Sequence, residues 1–229
     1  MNRPASPAAR TGVIIVDDDP LVRQALARFV GSAHDLVVLG SARDGSEGVA
    51  LVERVAPQVV LMDVQMPAVD GVAATRALRA THPDVRVLVL TAFADHETVT
   101  AALRAGASGF LNKTARPHEV VQAIRLVARG HSVLPAAEVA RQWAGTPGDP
   151  PAGPADEAAN LTPRETEVLA VLARGLSNRE IAAELHLSES TVKMHLSSVM
   201  AKLGVTSRVQ VLVRAHQLGL GQAAPGTPT

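Results

Sequence analysis

The residues of this 229-residue chain that could do chemistry stand at the ends of apolar runs. Asp17-Asp18-Asp19 follows Val13-Ile14-Ile15-Val16, and Asp63 follows Val59-Val60-Leu61-Met62. Thr91 closes the run from Val85 to Leu90, and Lys113 follows Gly109-Phe110-Leu111-Asn112. Short continuous apolar runs bounded by turns read as strands buried on both faces, the pattern of a parallel sheet. Parallel strands bring their carboxyl ends to one edge, where ligands of open α/β sheets bind. Groups scattered over a hundred residues would then converge. A carboxylate can accept a phosphoryl group as nucleophile when a divalent cation and a fixed ammonium neutralise the oxygens of the in-line transition state. Mg²⁺ takes near-octahedral oxygen ligands from a few carboxylates and waters. Asp18 and Asp63 fit as direct ligands, Asp17 as a ligand through water, and the main-chain carbonyl of Gln65 as a further one. Lys113 would supply the point charge, and the Thr91 hydroxyl would hydrogen-bond the phosphoryl group. Taken singly, each residue also fits a bland part: Asp caps helices and makes turns, and a lone Lys is commonly a solvated side chain.

The elements that must position these groups alternate in period. Strands are expected at 13–17, 36–40, 58–62, 85–91 and 109–112. Helices are expected at about 20–30, 46–55, 70–81, 95–105 and 117–129. Asp19-Pro20 opens the first helix, with Asp as N-cap and Pro at the first helical position. Leu21, Val22, Ala25, Leu26, Phe29 and Val30 give that helix an apolar stripe. Five strands alternating with five helices make a doubly wound α/β sheet with helices on both faces.

Residues 145–160 are rich in Pro, Gly, Ala and Asp and read as a flexible linker, with a short helix at 136–143 before it. Beyond Leu161 the pattern is all helical. Thr162-Pro163-Arg164-Glu165 and Ser177-Asn178-Arg179-Glu180 are capping boxes. His186-Leu187 makes a tight turn, and Ser188 caps a third helix. Val192, Leu196, Val199 and Leu203 form that helix's inner row, which leaves Lys193, Met194 and Ser197 on the faces away from the core. A fourth helix starts at Ser207 and carries Val209, Val211, Leu212 and Val213. Two short helices joined by a tight turn can set one helix in the major groove of DNA; a plain helical bundle fits the same periodicity. The expected organisation is a phospho-acceptor domain at 12–132, a linker at 133–159 and a helix-turn-helix domain at 160–218, with a polar tail at 221–229.

Composition removes several classes of function. The absence of Cys excludes disulfides, thiol catalysis and Cys-based zinc sites, and fits a reducing, cytoplasmic location. The N-terminal stretch lacks an apolar core of signal-peptide length, and no apolar run reaches the length of a membrane span. Lys+Arg and Asp+Glu both number 22, so net charge names no partner. Between residues 160 and 220, seven Lys/Arg against five Asp/Glu leave only a weak electrostatic footprint for DNA. Neither G-x-G-x-x-G after a strand nor G-x-x-x-x-G-K-[ST] occurs. The haloacid-dehalogenase-like phosphatases need a second Asp two residues beyond the nucleophile, where this chain has Gln65. A turnover enzyme is therefore not expected.

The set Asp17-Asp18, Asp63-x-x-Met66-Pro67-x-x-Asp70-Gly71, Thr91-Ala92 and Lys113 resembles the receiver domain of bacterial response regulators, over residues 12–130. The resemblance implies a flavodoxin-like sheet of strand order 2-1-3-4-5 and Asp63 as the phospho-acceptor. It makes Asp17 and Asp18 the acidic pair, Thr91 the switch residue and Lys113 the phosphate contact. Phe110, three residues before the lysine, would be the aromatic that reorients with Thr91. Thr114 stands where the family usually has Pro. Leu161-Thr162-Pro163-Arg164-Glu165, Gly175-Leu176-Ser177-Asn178-Arg179-Glu180-Ile181-Ala182 and Ser190-Thr191-Val192-Lys193-x-His195 are similar to the LuxR-type DNA-binding domain, over about 160–218. That likeness implies Lys193 and Met194 facing DNA, with Ser188 and Thr191 near phosphates. Some relatives have Lys where Ser197 stands, and the last helix, 207–217, is the implied dimer face. The combination is that of the NarL/FixJ class. It implies Mg²⁺ as cofactor, a partner sensor histidine kinase, double-stranded promoter DNA, a homodimer as the active state and no membrane partner. A phosphorylation-independent DNA-binding regulator, with the receiver as a dimerisation module, is the alternative.

Overall fold

Val13, Ile14, Ile15 and Val16 have no exposed surface, and neither do Val59 through Met62. Only a strand covered on both faces buries every side chain in a row, and such strands form the centre of the fold. The computed structural model describes residues 10–92, 96–133, 160–205 and 208–217. The chain divides into two compact units after Ala128. The expected helix 136–143, the rest of the Pro/Gly-rich linker from 134 to 159, and the tail 221–229 lie outside the described residues.

The first unit contains β1 (Thr11–Val16), α1 (Pro20–Gly31), β2 (Leu36–Ala42), α2 (Gly45–Val55), β3 (Val59–Asp63), α3 (Gly71–Thr81), β4 (Arg86–Thr91), α4 (His96–Ala105), β5 (Gly109–Asn112) and α5 (Pro117–Ala128). The five strands are parallel, in the order β2-β1-β3-β4-β5 expected from the receiver resemblance. Register then levels the strand ends. Val16 lies opposite Met62, which puts Asp17 beside Asp63 one step beyond. Asp63 lies opposite Leu90, and Thr91 opposite Asn112, so Thr91 and Lys113 follow as the next steps.

Side-chain caps fix where α1, α2 and α3 leave the sheet. Asp19 Oδ1 accepts the Leu21 N–H at 2.8 Å, Asp44 accepts that of Glu47 at 2.9 Å, and Asp70 accepts that of Ala73 at 2.7 Å. Ala56 in the left-handed region (φ 44) ends α2. Several boundaries differ from the sequence reading by one or two residues. Asp63 is the last residue of β3 rather than the first beyond it, because the ladder to β4 continues past it: Asp63 lies opposite Leu90, and the Val64 N–H donates to the Leu90 carbonyl at 3.2 Å. Asp17, in contrast, has already left β1. The second strand runs on to Ala42, held by the β1 edge through Ser41 opposite Ile15.

The second unit comprises α6 (Pro163–Ala173), α7 (Asn178–Glu184), α8 (Glu189–Lys202) and α9 (Arg208–Gln217). Its core is Val168, Leu169 and Leu172 of α6, Ile181 of α7, Val192, Leu196 and Val199 of α8, and Val211 and Ala215 of α9. Both capping boxes form: Thr162 with Glu165, and Ser177 with Glu180. Ser207, the expected start of the last helix, lies outside the described residues.

Candidate functional site

At the carboxyl edge of the sheet, Lys113 joins two carboxylates. Its ammonium stands 2.8 Å from Asp17 Oδ2 and 2.9 Å from Asp63 Oδ2. Both acids are buried, Asp17 with none of its surface exposed and Asp63 with 3%. The lysine arrives there because β5 pairs with β4, and its own N–H donates to the Thr91 carbonyl at 2.7 Å. Asp17 Oδ1 accepts the Asp19 N–H at 3.0 Å. Asp17 Oδ2 is buried without a hydrogen-bond partner of good geometry, so what compensates it is the nearby ammonium. Asp18 is exposed at the mouth of the site.

The site's electrostatics follow from burial and pairing. Burial pushes the Asp63 carboxyl above the ordinary aspartate range, an effect opposed by the Lys113 hydrogen bond and reinforced by the neighbouring Asp17 charge. Burial alone would depress Lys113, but its hydrogen bonds to Asp17 and Asp63 outweigh that and hold it above the usual lysine value. One oxygen each from Asp17, Asp18 and Asp63 lie within 4.8 Å of one another. Three carboxylates at that spacing fit a hard divalent cation that takes oxygen ligands.

The remaining expected receiver residues surround this cluster. Thr91 is buried at the end of β4, and Phe110 is buried in β5 opposite Val89. Gln65 is exposed two residues beyond β3. Thr114, in the place of the family's usual Pro, donates its N–H and its hydroxyl to Asn112 Oδ1 at 2.8 and 2.7 Å. These two bonds close the turn that carries Lys113. Gly71 has a part that periodicity does not reveal. A Cβ there would lie 1.8 Å from the Asp63 carbonyl oxygen. Only a residue without a side chain lets α3 start this close to β3.

In the second unit, α7 and α8 meet at a turn where His186 takes a left-handed conformation (φ 53) and Leu187 N–H donates to the Ala182 carbonyl at 2.8 Å. Val192, Leu196, Val199 and Leu203 are buried as the periodicity requires. On the other side Lys193, Met194 and Ser197 are exposed, Met194 by 61%. Ser188 and Thr191 stand at the start of α8, where the Ser188 hydroxyl accepts the Thr191 N–H at 3.1 Å. The Ser197 hydroxyl donates back to the Lys193 carbonyl at 3.0 Å.

Several cations of this unit work inside it. Arg164 donates to the Leu185 carbonyl at 2.9 Å, Arg208 to Asn178 Oδ1 at 2.7 Å and to the Leu176 carbonyl, and Arg174 pairs with Glu184. Glu165 does more than cap its helix. It accepts hydrogen bonds from Ser198 Oγ at 2.6 Å and Lys202 Nζ at 2.7 Å, which tie α6 to α8. Sequence spacing could not show this contact, because its partners lie more than thirty residues away. Val211 and Ala215 of α9 are buried in the core of this unit and Leu212 packs against it, while Gln210 and Arg214 are half-buried.

Comparison with known proteins agrees with both halves. Residues 13–125 match the family described as the response regulator receiver domain, and residues 159–215 match the bacterial regulatory proteins of the luxR family. The chain is 37% identical over 214 residues to the transcriptional regulatory protein LnrK of Bacillus subtilis, covering 91% of this chain and 97% of that one. It is 36% identical to the transcriptional regulatory protein LiaR of the same organism, covering 90% and 96%. Among solved structures, that of the response regulator ChrA of a heme-sensing two-component system is 34% identical, covers 93% of this chain and 99% of its own, and superposes with a TM-score of 0.50. These relatives are regulators rather than enzymes by name, and among the described residues no helix is long and apolar enough to cross a membrane. The chain belongs to the two-component response regulators of the NarL class, a receiver domain joined to a LuxR-type DNA-binding domain.

Proposed function

We propose that this regulator is switched by phosphorylation of Asp63 by a partner sensor histidine kinase, with Mg²⁺ as cofactor. The observation that carries the reading is the Lys113 ammonium set between Asp17 and Asp63, with Asp18 at the mouth. Asp18 and Asp63 would hold Mg²⁺ directly, Asp17 through water, and the Gln65 carbonyl would complete the protein ligands. The cation supplies neutralisation of the phosphoryl oxygens when bound. The chain's own groups do the rest. An oxygen of Asp63 attacks phosphorus and the bond from phosphorus to the donor's imidazole nitrogen breaks; that ring, protonated at its other nitrogen, keeps the electron pair and leaves as neutral imidazole beside the aspartyl phosphate. Lys113 moves from Asp63 to the new phosphoryl oxygens, and the Thr91 hydroxyl donates to one of them. Thr91 and Phe110, both already buried, would shift together with the phosphoryl group and repack the surface of α4 and β5. That change shifts the protein toward a homodimer whose α8 helices, through Lys193, Met194 and Ser197, enter the major groove at two half-sites, with Ser188 and Thr191 at phosphates. The site of action is the cytoplasm, where kinase and promoter DNA are both within reach.

Intact-protein mass spectrometry after incubation with Mg²⁺ and acetyl phosphate tests this reading. One phosphoryl group is expected on wild type, dependent on Mg²⁺ and absent from Asp63→Asn. Gel-shift titration of promoter DNA should then show tighter binding by the phosphorylated form. Equal affinity with and without phosphodonor would refute the switch in favour of a phosphorylation-independent regulator.

A further inference from the structure

The acidic loop is held by a residue that none of the motifs contains. β1 ends at Val16, and the Asp17 N–H makes its bond to the Ala42 carbonyl at 3.2 Å. Beyond it the chain leaves the sheet, and the carbonyls of Asp17 and Asp18 lie outside the ladder. Arg23, one turn into α1, supplies donors to both. Its Nη1 donates to the Asp17 carbonyl at 2.6 Å and to the Asp18 carbonyl at 2.9 Å. The Arg23 N–H also donates to the Asp19 carbonyl at 3.1 Å. One residue thus ties three successive carbonyls.

We infer that Arg23 is a positioning residue of the cation site: its guanidinium clamps the Asp17 and Asp18 peptides so that one carboxylate points to Lys113 and the other to the mouth. The inference rests on the proposed reading of the acidic cluster as a Mg²⁺ site. The two protons on Nη1 lie in the guanidinium plane at a fixed spread, so engaging both carbonyls sets the two peptide planes relative to each other. Those planes determine where the side chains start. Asp17 Oδ1 is committed to the Asp19 N–H, Oδ2 faces the ammonium, and Asp18 keeps an oxygen within 4.8 Å of the other two acids. Rotation of either peptide would swing a carboxylate out of that set. A lysine at this position keeps the charge but replaces the planar fork by a point donor. The Arg23 side chain lines an open cleft between α1 and β2, beside Gln24 and Ser41, rather than the core. Its replacement therefore removes the clamp without opening a cavity in the interior.

The test is Mg²⁺ binding by calorimetry on the full-length protein, comparing wild type with Arg23→Met and Arg23→Lys, alongside thermal stability measured without Mg²⁺. Groups that orient metal ligands typically change affinity by about 10- to 100-fold when lost. Arg23→Met should raise the Mg²⁺ dissociation constant by that order, and Arg23→Lys should recover only part of the loss. Amide exchange without Mg²⁺ should accelerate at Asp19, whose N–H is held by Asp17. A purely stabilising role would lower the melting temperature of both variants and leave Mg²⁺ affinity, measured well below it, unchanged. Wild-type affinity in Arg23→Met overturns the inference, and full recovery by Arg23→Lys overturns it in favour of simple charge. Absence of Mg²⁺ binding by wild type would overturn the reading of the cluster itself. Faster exchange at Asp19 in Arg23→Met would then show that the clamp exists but serves no cation.

Discussion

Replacing Glu165 by Gln should destabilise the DNA-binding unit at neutral pH and cease to do so in acid. Hydrogen bonds from Lys202, Ser198 and the Thr162 N–H hold the Glu165 carboxyl well below its ordinary 4.5, at about 2. At about 1.4 kcal/mol per pKa unit, the ionised form gains at most about 3 kcal/mol in the folded state. Glu165 is 4% exposed, but the Lys202 side chain is 33% exposed, so water screens the largest of these contributions. A realistic figure is about 1–2 kcal/mol. Because the folded value is depressed, this stability is fully present above pH 4.5 and is lost as pH falls toward 2. Gln keeps the shape and most of the hydrogen bonds, so the difference between the two proteins isolates the charge. Ile181 is the isoleucine of the second unit, its side chain wholly buried there, and its methyl resonance reports that unit's unfolding in urea while the receiver is followed separately. Wild type should exceed Glu165→Gln by about 1–2 kcal/mol at pH 7, and by less than half of that at about pH 3. Equal stability at pH 7, or a deficit undiminished in acid, would refute the reasoning.

Asp63→Asn, in metal-free buffer, should be more stable than wild type at pH 7. Burial raises the Asp63 value above 3.8, so its favourable share is present below that pH and is lost as pH rises through the folded value. The advantage of Asn should therefore vanish in acid, and a wild type stabler than the variant at pH 7, by receiver unfolding in urea, would contradict this. Gly71→Ala should cost the receiver about 1–3 kcal/mol, because a Cβ 1.8 Å from the Asp63 carbonyl oxygen forces β3 and α3 apart. The same variant should accept phosphate from acetyl phosphate more slowly, and undisturbed denaturation and labelling would show that α3 adapts freely. Ser197→Lys should tighten promoter binding at low salt and steepen the slope of log K against log salt by about 0.9, if the residue faces a phosphate. An unchanged slope in gel-shift titrations would place Ser197 away from the backbone.

Local features of this protein were legible in its sequence. Asp19, Thr162, Ser177 and Ser188 cap the helices assigned to them, because capping depends on neighbours within three residues. The inner row of α8 is buried as its spacing requires, because helical period alone fixes which side chains share a face. The parallel sheet was legible too, since strands buried on both faces leave unbroken apolar runs. Periodicity does not say which strand end lies beside which, and the strand order was legible only through the receiver resemblance. Register brings Asp17 level with Asp63, and β5 delivers Lys113 between them, across sequence separations of 96 and 50 that carry no spacing rule. The need for Gly at 71, the reach of Arg23 to two carbonyls and the Glu165–Lys202 bond are of the same kind. The first two join residues five to eight apart across a loop and the last joins helices 37 residues apart; none follows a helical or strand period, and each is settled by how the backbones pack. Periodicity tells a side chain which way to face; only the assembled layers decide what it meets.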